Sequence, residues 1–218
     1  MEILAGRPGH LARQVLEDVG RYRYRVFIKT LGWDLVTEHG LEKDQFDRAD
    51  TLYLAARDDE GRIVGTARLL PTTSPYLLGE VFPELLGGAE VPRDPRIWEL
   101  SRFAAVDFNV SHGGAMSQFS SKVAVALLHK AIAVAAEQGA QRIITVSPLG
   151  VERLLRRGGI RTHRAAPPKI IDGHPIFACW IEVETQDQES PAEDVPLRRV
   201  LPSRAEGLPA RPLGVQCT

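Results

Sequence analysis

Residues 98–104 read WELSRFA, and the placement of this run decides the fold. Trp98, Leu100, Phe103 and Ala104 suit a half-buried strand, yet Glu99 and Arg102 bring two full charges into it. An unpaired buried charge is strongly unfavourable or changes its protonation state. Side chains alternate along a regular strand, so Glu99 would share a face with Ser101 and Phe103, and Arg102 with Trp98 and Leu100. Three residues apart on a flat strand, the two charges cannot pair directly. Either the strand is bulged, or each charge belongs to a wider set elsewhere in the chain.

The surrounding sequence supplies the rest of the fold. Upstream, LYLAARDDEGRIVGTARLL (52–70) is two strands around a DDEG turn, an antiparallel hairpin. Before it, Leu11, Val15, Val19, Tyr22 and Val26 recur at helical intervals and predict an amphipathic helix over 11–30 that ends near Gly32. Residues 33–50 have no sustained periodicity and read as a charged surface segment. Downstream, 107–117 reads as a loop. A helix over 120–138 follows, with Ala124, Leu127, Leu128, Ala131, Ile132 and Ala135 as its apolar stripe and Gly139 as its C-cap. RIITVS (142–147) is a strand, VERLLRRGG (151–159) a short helix, and IFACWIEVE (176–184) a final strand. Helix, meander, then α-β-α-β makes an α/β three-layer sandwich. From Gln186 onward five prolines interrupt a polar stretch, so the chain divides into a domain over 1–185 and a disordered tail over 186–218.

Bulk properties exclude several classes. At 218 residues the chain can bury one full core, and a net charge of −1 argues against a generally basic nucleic-acid binder. Cys179 and Cys217 form no metal or redox spacing, which suggests a reducing compartment and no metal. No apolar run reaches the length of a bilayer span, and the first residues lack the apolar core of a signal peptide. The expectation is a cytoplasmic protein without a membrane.

Four stretches supply partners for Glu99 and Arg102: Arg23 and Phe27 in RYRYRVF, Trp33 in LGWDL, Asp44 and Asp47 in EKDQFD, and Arg68 in GTARLL. Singly, each has an ordinary structural reading: a solvated helix position, a core ring, surface carboxylates. Arg68 is less easily dismissed, because its flanks are apolar. Arg23, Arg68 and Arg102 with Glu99, Asp44 and Asp47 would balance their charges internally.

These residues carry a resemblance. Arg23-x-x-Val26-Phe27, Gly32-Trp33, Asp44-x-x-Asp47, Arg68, PTTSPYLL with VFPELL after it, and WELSRFA resemble the N-acyl-homoserine lactone synthases, the autoinducer synthases of bacterial quorum sensing, over about residues 3–184. The resemblance implies an acetyltransferase-like three-layer α-β-α sandwich with a mixed, largely antiparallel sheet. In it WELSRFA splays from RIITVS to open a V-shaped acyl cleft. It further implies transfer of an acyl group from acyl carrier protein to the amine of S-adenosylmethionine, with lactone closure and release of methylthioadenosine. S-adenosylmethionine is then a substrate, and no cofactor is implied. Glu99 is the implied catalytic residue. A free α-amine has a pKa of about 7.7–8.0, far above a carboxylate's usual value of about 4.3. Either burial raises Glu99 towards the amine, or Glu99 holds an ordered water that relays the proton; three arginines would keep it ionised, which favours the water.

By resemblance, Arg23, Phe27, Trp33, Arg102 and Phe103 form the S-adenosylmethionine pocket, and rings beside a sulfonium are physically apt. Asp44, Asp47 and Arg68 organise its wall. Leu100, Thr145 and Val146 line the acyl cleft, where the Thr145 hydroxyl can meet an oxygen on the third acyl carbon. Arg153, Arg156, Arg157, Arg161, Arg164 and Lys169 face only Glu152 nearby, and suit a surface for an acidic carrier protein. Two rivals remain: an ordinary acyl-CoA N-acyltransferase, whose R/Q-x-x-G-x-G/A loop VDFNVSHGGAMSQ (106–118) does not match, and a catalytically dead ligand-binding module.

Overall fold

The computed structural model describes residues 1–108 and 122–183. Its sheet is built from β1 (Glu2–Gly6), β4 (Leu52–Arg57), β5 (Ile63–Pro71), β6 (Ile97–Ala104), β7 (Arg142–Pro148), β8 (Thr162–Arg164), β9 (Lys169–Ile171) and β10 (His174–Glu182). The order is β1-β4-β5-β6-β7-β10-β8, with β9 also on β10. Every pairing is antiparallel except β6 with β7. β2 (Thr37–Glu38) and β3 (Leu41–Glu42) form a separate small ribbon. The sheet is therefore mixed and largely antiparallel, as the resemblance implied.

Helices cover both faces. On one, α3 (Lys122–Glu137) and α4 (Leu149–Arg157) bury Leu127, Leu128, Ala131, Leu154 and Leu155 against Leu54, Leu69, Leu100, Ile143 and Phe177. On the other, α1 (Arg13–Arg23) lays Val15 and Val19 on Tyr53 and Ala55. A second cluster on that face gathers Leu78 of α2 (Leu77–Val81) with Leu85 and Leu86 of a 3₁₀ turn (Pro83–Leu86) onto Leu70, Ile97, Ile144 and Ala178. Three layers result because the strand residues alternate between these clusters.

Several elements differ from the sequence reading. β1 adds an edge strand ahead of the first helix; five residues just before a turn carry too short an alternation to stand out. The 11–30 helix begins at Arg13 and changes to a π-helix over Tyr24–Thr30, where the Leu31 N–H reaches the Val26 carbonyl at 2.9 Å. Such widened turns recur at functional sites. Residues 33–50 are not simply surface: Glu42, Phe46 and Thr51 just beyond are buried, and Asp47 with them. The helix stripe expected over 120–138 is buried from Ala124 onward, apart from Ile132, which is half-buried against the same core. The start of that helix and the loop over 107–117 fall mostly outside the described residues, as does the whole tail.

β6 joins β7 only from Ile97–Arg142 to Leu100–Thr145. Beyond that point β6 follows β5 and β7 follows β10. The two parallel strands therefore part after Leu100 and Thr145.

Candidate active site

The strand is bulged, and of its two charges Arg102 belongs to a wider charged set. Thr66 pairs with Ala104 and Arg68 with Ser101, so β6 carries one extra residue at the bulge. Arg102 sits there at φ 51°, a left-handed conformation rare for a side-chain-bearing residue. The extra residue resets the alternation. Arg102 follows Ser101 onto the α1 face, while Phe103 packs with the cluster of Trp98 and Leu100 under α3. This reverses the faces expected of a regular strand, and it separates Phe103 from the other residues grouped with it for S-adenosylmethionine.

On the α1 face three arginines meet three carboxylates. Arg23 donates to Glu42 through Nε and to both oxygens of Asp47 at 2.7 and 3.0 Å. Arg68 reaches Asp44 at 2.6 Å and Asp47 at 3.3 Å, and its Nε donates to Ser101 Oγ at 3.1 Å. Arg102 binds Glu42 at 2.9 Å and Asp44 at 2.8 Å. The Tyr53 hydroxyl donates to Asp47 at 2.9 Å. Burial alone would raise the Asp47 pKa, but Arg23 and Arg68 outweigh it and hold the carboxyl well below its usual range. Burial would likewise lower Arg23, and Asp47 with Glu42 reverse that. For Arg102, burial and the two neighbouring arginines press the pKa down against the pull of Glu42. The set is neutral overall, as a buried network must be. Arg68 Nη2 is buried and, among the described residues, has no hydrogen-bond partner.

The third carboxylate is Glu42, not Glu99. Sequence reasoning missed it although it opens the EKDQFD stretch, because nothing in 33–50 signalled which charges turn inward. Glu99 lies on the same face but accepts from the backbone N–H groups of Leu77 at 3.0 Å and Leu78 at 2.6 Å, at the start of α2. It is 0% exposed. Burial pushes its pKa up to about 7, against the two N–H bonds and the more distant Arg68 and Arg102. The expectation that the arginines keep Glu99 at an ordinary carboxylate value is thereby corrected: burial outweighs them, and their hydrogen bonds go to Glu42, Asp44, Asp47 and Ser101.

Beside this network an aromatic wall stands. Phe27 and Trp33 stack with centroids 4.9 Å apart and planes 20° off parallel, and the Arg102 guanidinium lies 5.6 Å from the Phe27 centroid. The π-helical segment sets this up, since the Trp33 N–H bonds the Phe27 carbonyl at 2.9 Å. Trp33 remains 38% exposed, so it borders solvent, not core.

At the parting of β6 and β7, Leu100 and Thr145 are register partners and face the α3 side. Val146 points to the opposite face, against the cluster of Leu78 and Ile144. Arg153, Arg156 and Arg157 are exposed on α4; Arg164 and Arg156 share Glu152 at 2.7 and 3.5 Å. Arg161 is exposed between α4 and β8. Lys169 is also exposed, three residues further along β10 from Arg164, or roughly 10 Å.

The fold and this site together define an α/β acyltransferase. Residues 9–190 match the autoinducer synthase family, so the chain belongs to that family. It is 52% identical over 183 residues to an acyl-homoserine-lactone synthase of Acinetobacter nosocomialis, covering 84% of this chain and 100% of that one. The crystal structure of TofI in a ternary complex with an inhibitor and MTA superposes with TM-score 0.73 at 43% identity, over 85% of this chain and 94% of that one. BjaI, a CoA-dependent acyl-homoserine lactone synthase solved with MTA, gives 0.72 at 26% identity, over 84% and 83%. An acyl-CoA N-acyltransferase from Pseudomonas aeruginosa, at 14% identity and TM-score 0.58 over 83% and 99%, shares the fold alone.

Proposed function

We propose that this chain is an acyl-homoserine-lactone synthase that acylates S-adenosylmethionine from acylated acyl carrier protein. The observation that carries the reading is Glu99, a buried carboxyl pushed up to about 7 within reach of the Arg102 charge, one residue before β6 and β7 part. An α-amine at about 7.7–8.0 lies only about one unit above it, and each unit costs about 1.4 kcal/mol. Glu99 is therefore matched to take the amine proton itself or across one water. The freed amine attacks the thioester carbon, a C–N bond forms and the thiol leaves. The methionyl carboxylate then attacks its own γ-carbon, breaking the C–S⁺ bond, so methylthioadenosine departs as the lactone closes. Sulfonium is already a good leaving group, and this step needs mainly a folded substrate. S-adenosylmethionine supplies nucleophile and leaving group, so the chemistry calls for no cofactor.

Phe27, Trp33, Arg102 and Arg23 suit the adenosylmethionine pocket, with Asp44, Asp47 and Arg68 as its wall. Phe103, Leu100 and Thr145 lie on the α3 side of the parting strands, where an acyl chain would run. The exposed arginines of α4 favour an acidic carrier protein, a cytoplasmic partner. CoA dependence of BjaI is the second reading. The loop that argued against CoA falls mostly outside the described residues. Steady-state rates with one acyl group on carrier protein and on CoA test the choice. The carrier form should show the higher kcat/KM, and a clear advantage for CoA would reverse it.

A further inference from the structure

PTTSPYLL (71–78) carries the chain from the end of β5 into α2. Its last two residues present the N–H groups that Glu99 accepts, at 3.0 Å from Leu77 and 2.6 Å from Leu78. Those donors are backbone, so their aim depends on where the chain is held and not on the leucine side chains. α2 has only five residues, too few to keep its own shape in water. Its first turn must be fixed from outside.

Tyr76, the residue just before α2, makes that connection. Its side chain is buried, and its hydroxyl donates to the Pro92 carbonyl at 2.9 Å. The ring lies against Gly79, where a Cβ would stand 3.0 Å from the ring and 3.0 Å from the Val91 side chain. Glycine is a poor helix residue, and here its bare backbone makes room for the ring. The loop that receives the hydroxyl is itself moored. The Thr72 hydroxyl lies 2.9 Å from both the Asp94 and the Ile97 carbonyl oxygens, and it accepts from the Asp94 N–H at 3.2 Å. Phenylalanine at position 76 would satisfy packing alone. The hydroxyl adds a tie between the start of α2 and a fixed loop.

We propose that Tyr76 is a positioning residue for the acyl transfer, holding the Leu77 and Leu78 N–H groups on the Glu99 carboxylate. Hydrogen bonds to a carboxylate favour its charged form. Burial opposes them at Glu99, and the Arg68 charge from β5 and the Arg102 charge from β6 help less than the two N–H groups do. Its register partner on β7, Ile144, is apolar. The N–H groups are therefore the main force that lets Glu99 shed its proton near neutral pH. Burial and the Glu99 charge, with Glu80 adding and Arg93 opposing, hold the Tyr76 phenol above its ordinary range, so it stays a donor. Loosening the anchor lets the N–H groups drift, and Glu99 then keeps its proton to a higher pH. The inference rests on the synthase reading above and names the residue that tunes its base.

The test reads the Glu99 proton twice. NMR of protein labelled with carbon-13 at the glutamate carboxyls follows its titration, with Glu99→Gln assigning the signal. Lactone formation gives kcat/KM over the same pH range, with donors on carrier protein and separately on CoA. Tyr76→Phe keeps the ring and drops the hydroxyl. Both midpoints should move up by about half to one pH unit, the worth of one hydrogen bond. KM for S-adenosylmethionine should stay within about twofold of wild type, because the change acts on the base and not on the pocket. Gly79→Ala, which favours the helix but crowds the ring, should move the midpoints in the same direction. It also reads them if Tyr76→Phe impairs folding. A merely structural Tyr76 would lower the melting temperature and leave both midpoints at the wild-type value. That result would overturn the positioning role and leave the synthase reading standing. Failure of wild type to make lactone from any donor would overturn the synthase reading and, with it, the part of Tyr76 in the reaction.

Discussion

Arg102 Nε and Nη2 both donate to Glu42 Oε1, at 3.1 and 2.9 Å, joining residues 60 apart in sequence. The same carboxylate takes Arg23 through its other oxygen. Glu42 therefore clamps the helix that carries Phe27 to the strand that carries Glu99, and it does so where Arg102 is held at φ 51°. A non-glycine residue in such a conformation costs of order 1–3 kcal/mol and persists only when its surroundings fix it.

Glu42→Gln removes that clamp's charge and leaves two buried arginines short of a partner. Loss of one member of a buried ionic set is strongly destabilising, about 3–5 kcal/mol. Thermal unfolding should show a drop of roughly ten degrees or more. A melting temperature within two or three degrees of wild type would mean that Asp44 and Asp47 carry the network without it.

Much of this was legible in WELSRFA. A strand with two charges three residues apart demanded either a bulge or distant partners, and it has both. Arg68 announced itself by its apolar flanks. Glu42 did not, because partners of a buried arginine come from whichever loop the tertiary fold brings there, and the 33–50 segment has no period to read. The state of Glu99 was also hidden. Charge balance suggested an ion pair, but its partners are the Leu77 and Leu78 N–H groups, and backbone donors leave no trace in residue type. Edge strands β1, β8 and β9 have at most five residues each, too few for a clear alternation.

Trp33→Ala should weaken S-adenosylmethionine binding by about tenfold while leaving stability nearly unchanged, since Trp33 borders solvent and its contact is the stack on Phe27. Calorimetric titration beside thermal unfolding separates the two effects. Unchanged affinity would remove Trp33 from the pocket.

Glu99 should shape the pH dependence of both rate and stability. Its folded pKa is raised, so its contribution to stability is full below the ordinary value of 4.5 and is lost as pH rises through about 7. The stability of wild type relative to Glu99→Gln should therefore decline from pH 5 to pH 8. Over the same interval kcat/KM for S-adenosylmethionine should rise, as Glu99 sheds its proton and becomes a base. A flat rate profile with a flat stability difference would show a carboxylate ionised throughout.

Arg156 and Arg157 are exposed at the end of α4, and Arg156 touches Glu152 at only 3.5 Å. Reversing both to Glu should raise KM for acylated carrier protein several-fold, spare KM for S-adenosylmethionine, and flatten the salt dependence of the rate. Wild-type use of the carrier protein at low ionic strength by the double variant would make this a solvated surface.

The most direct measurement follows both products from one reaction mixture of purified enzyme, S-adenosylmethionine and an acylated carrier protein. Chromatography with mass detection should find methylthioadenosine and acyl-homoserine lactone accumulating together in equal amounts, with Glu99→Gln cutting both by roughly a hundredfold or more. Acylated S-adenosylmethionine that accumulates without methylthioadenosine, or methylthioadenosine released without lactone, across carrier-protein and CoA donors alike, would contradict the assignment.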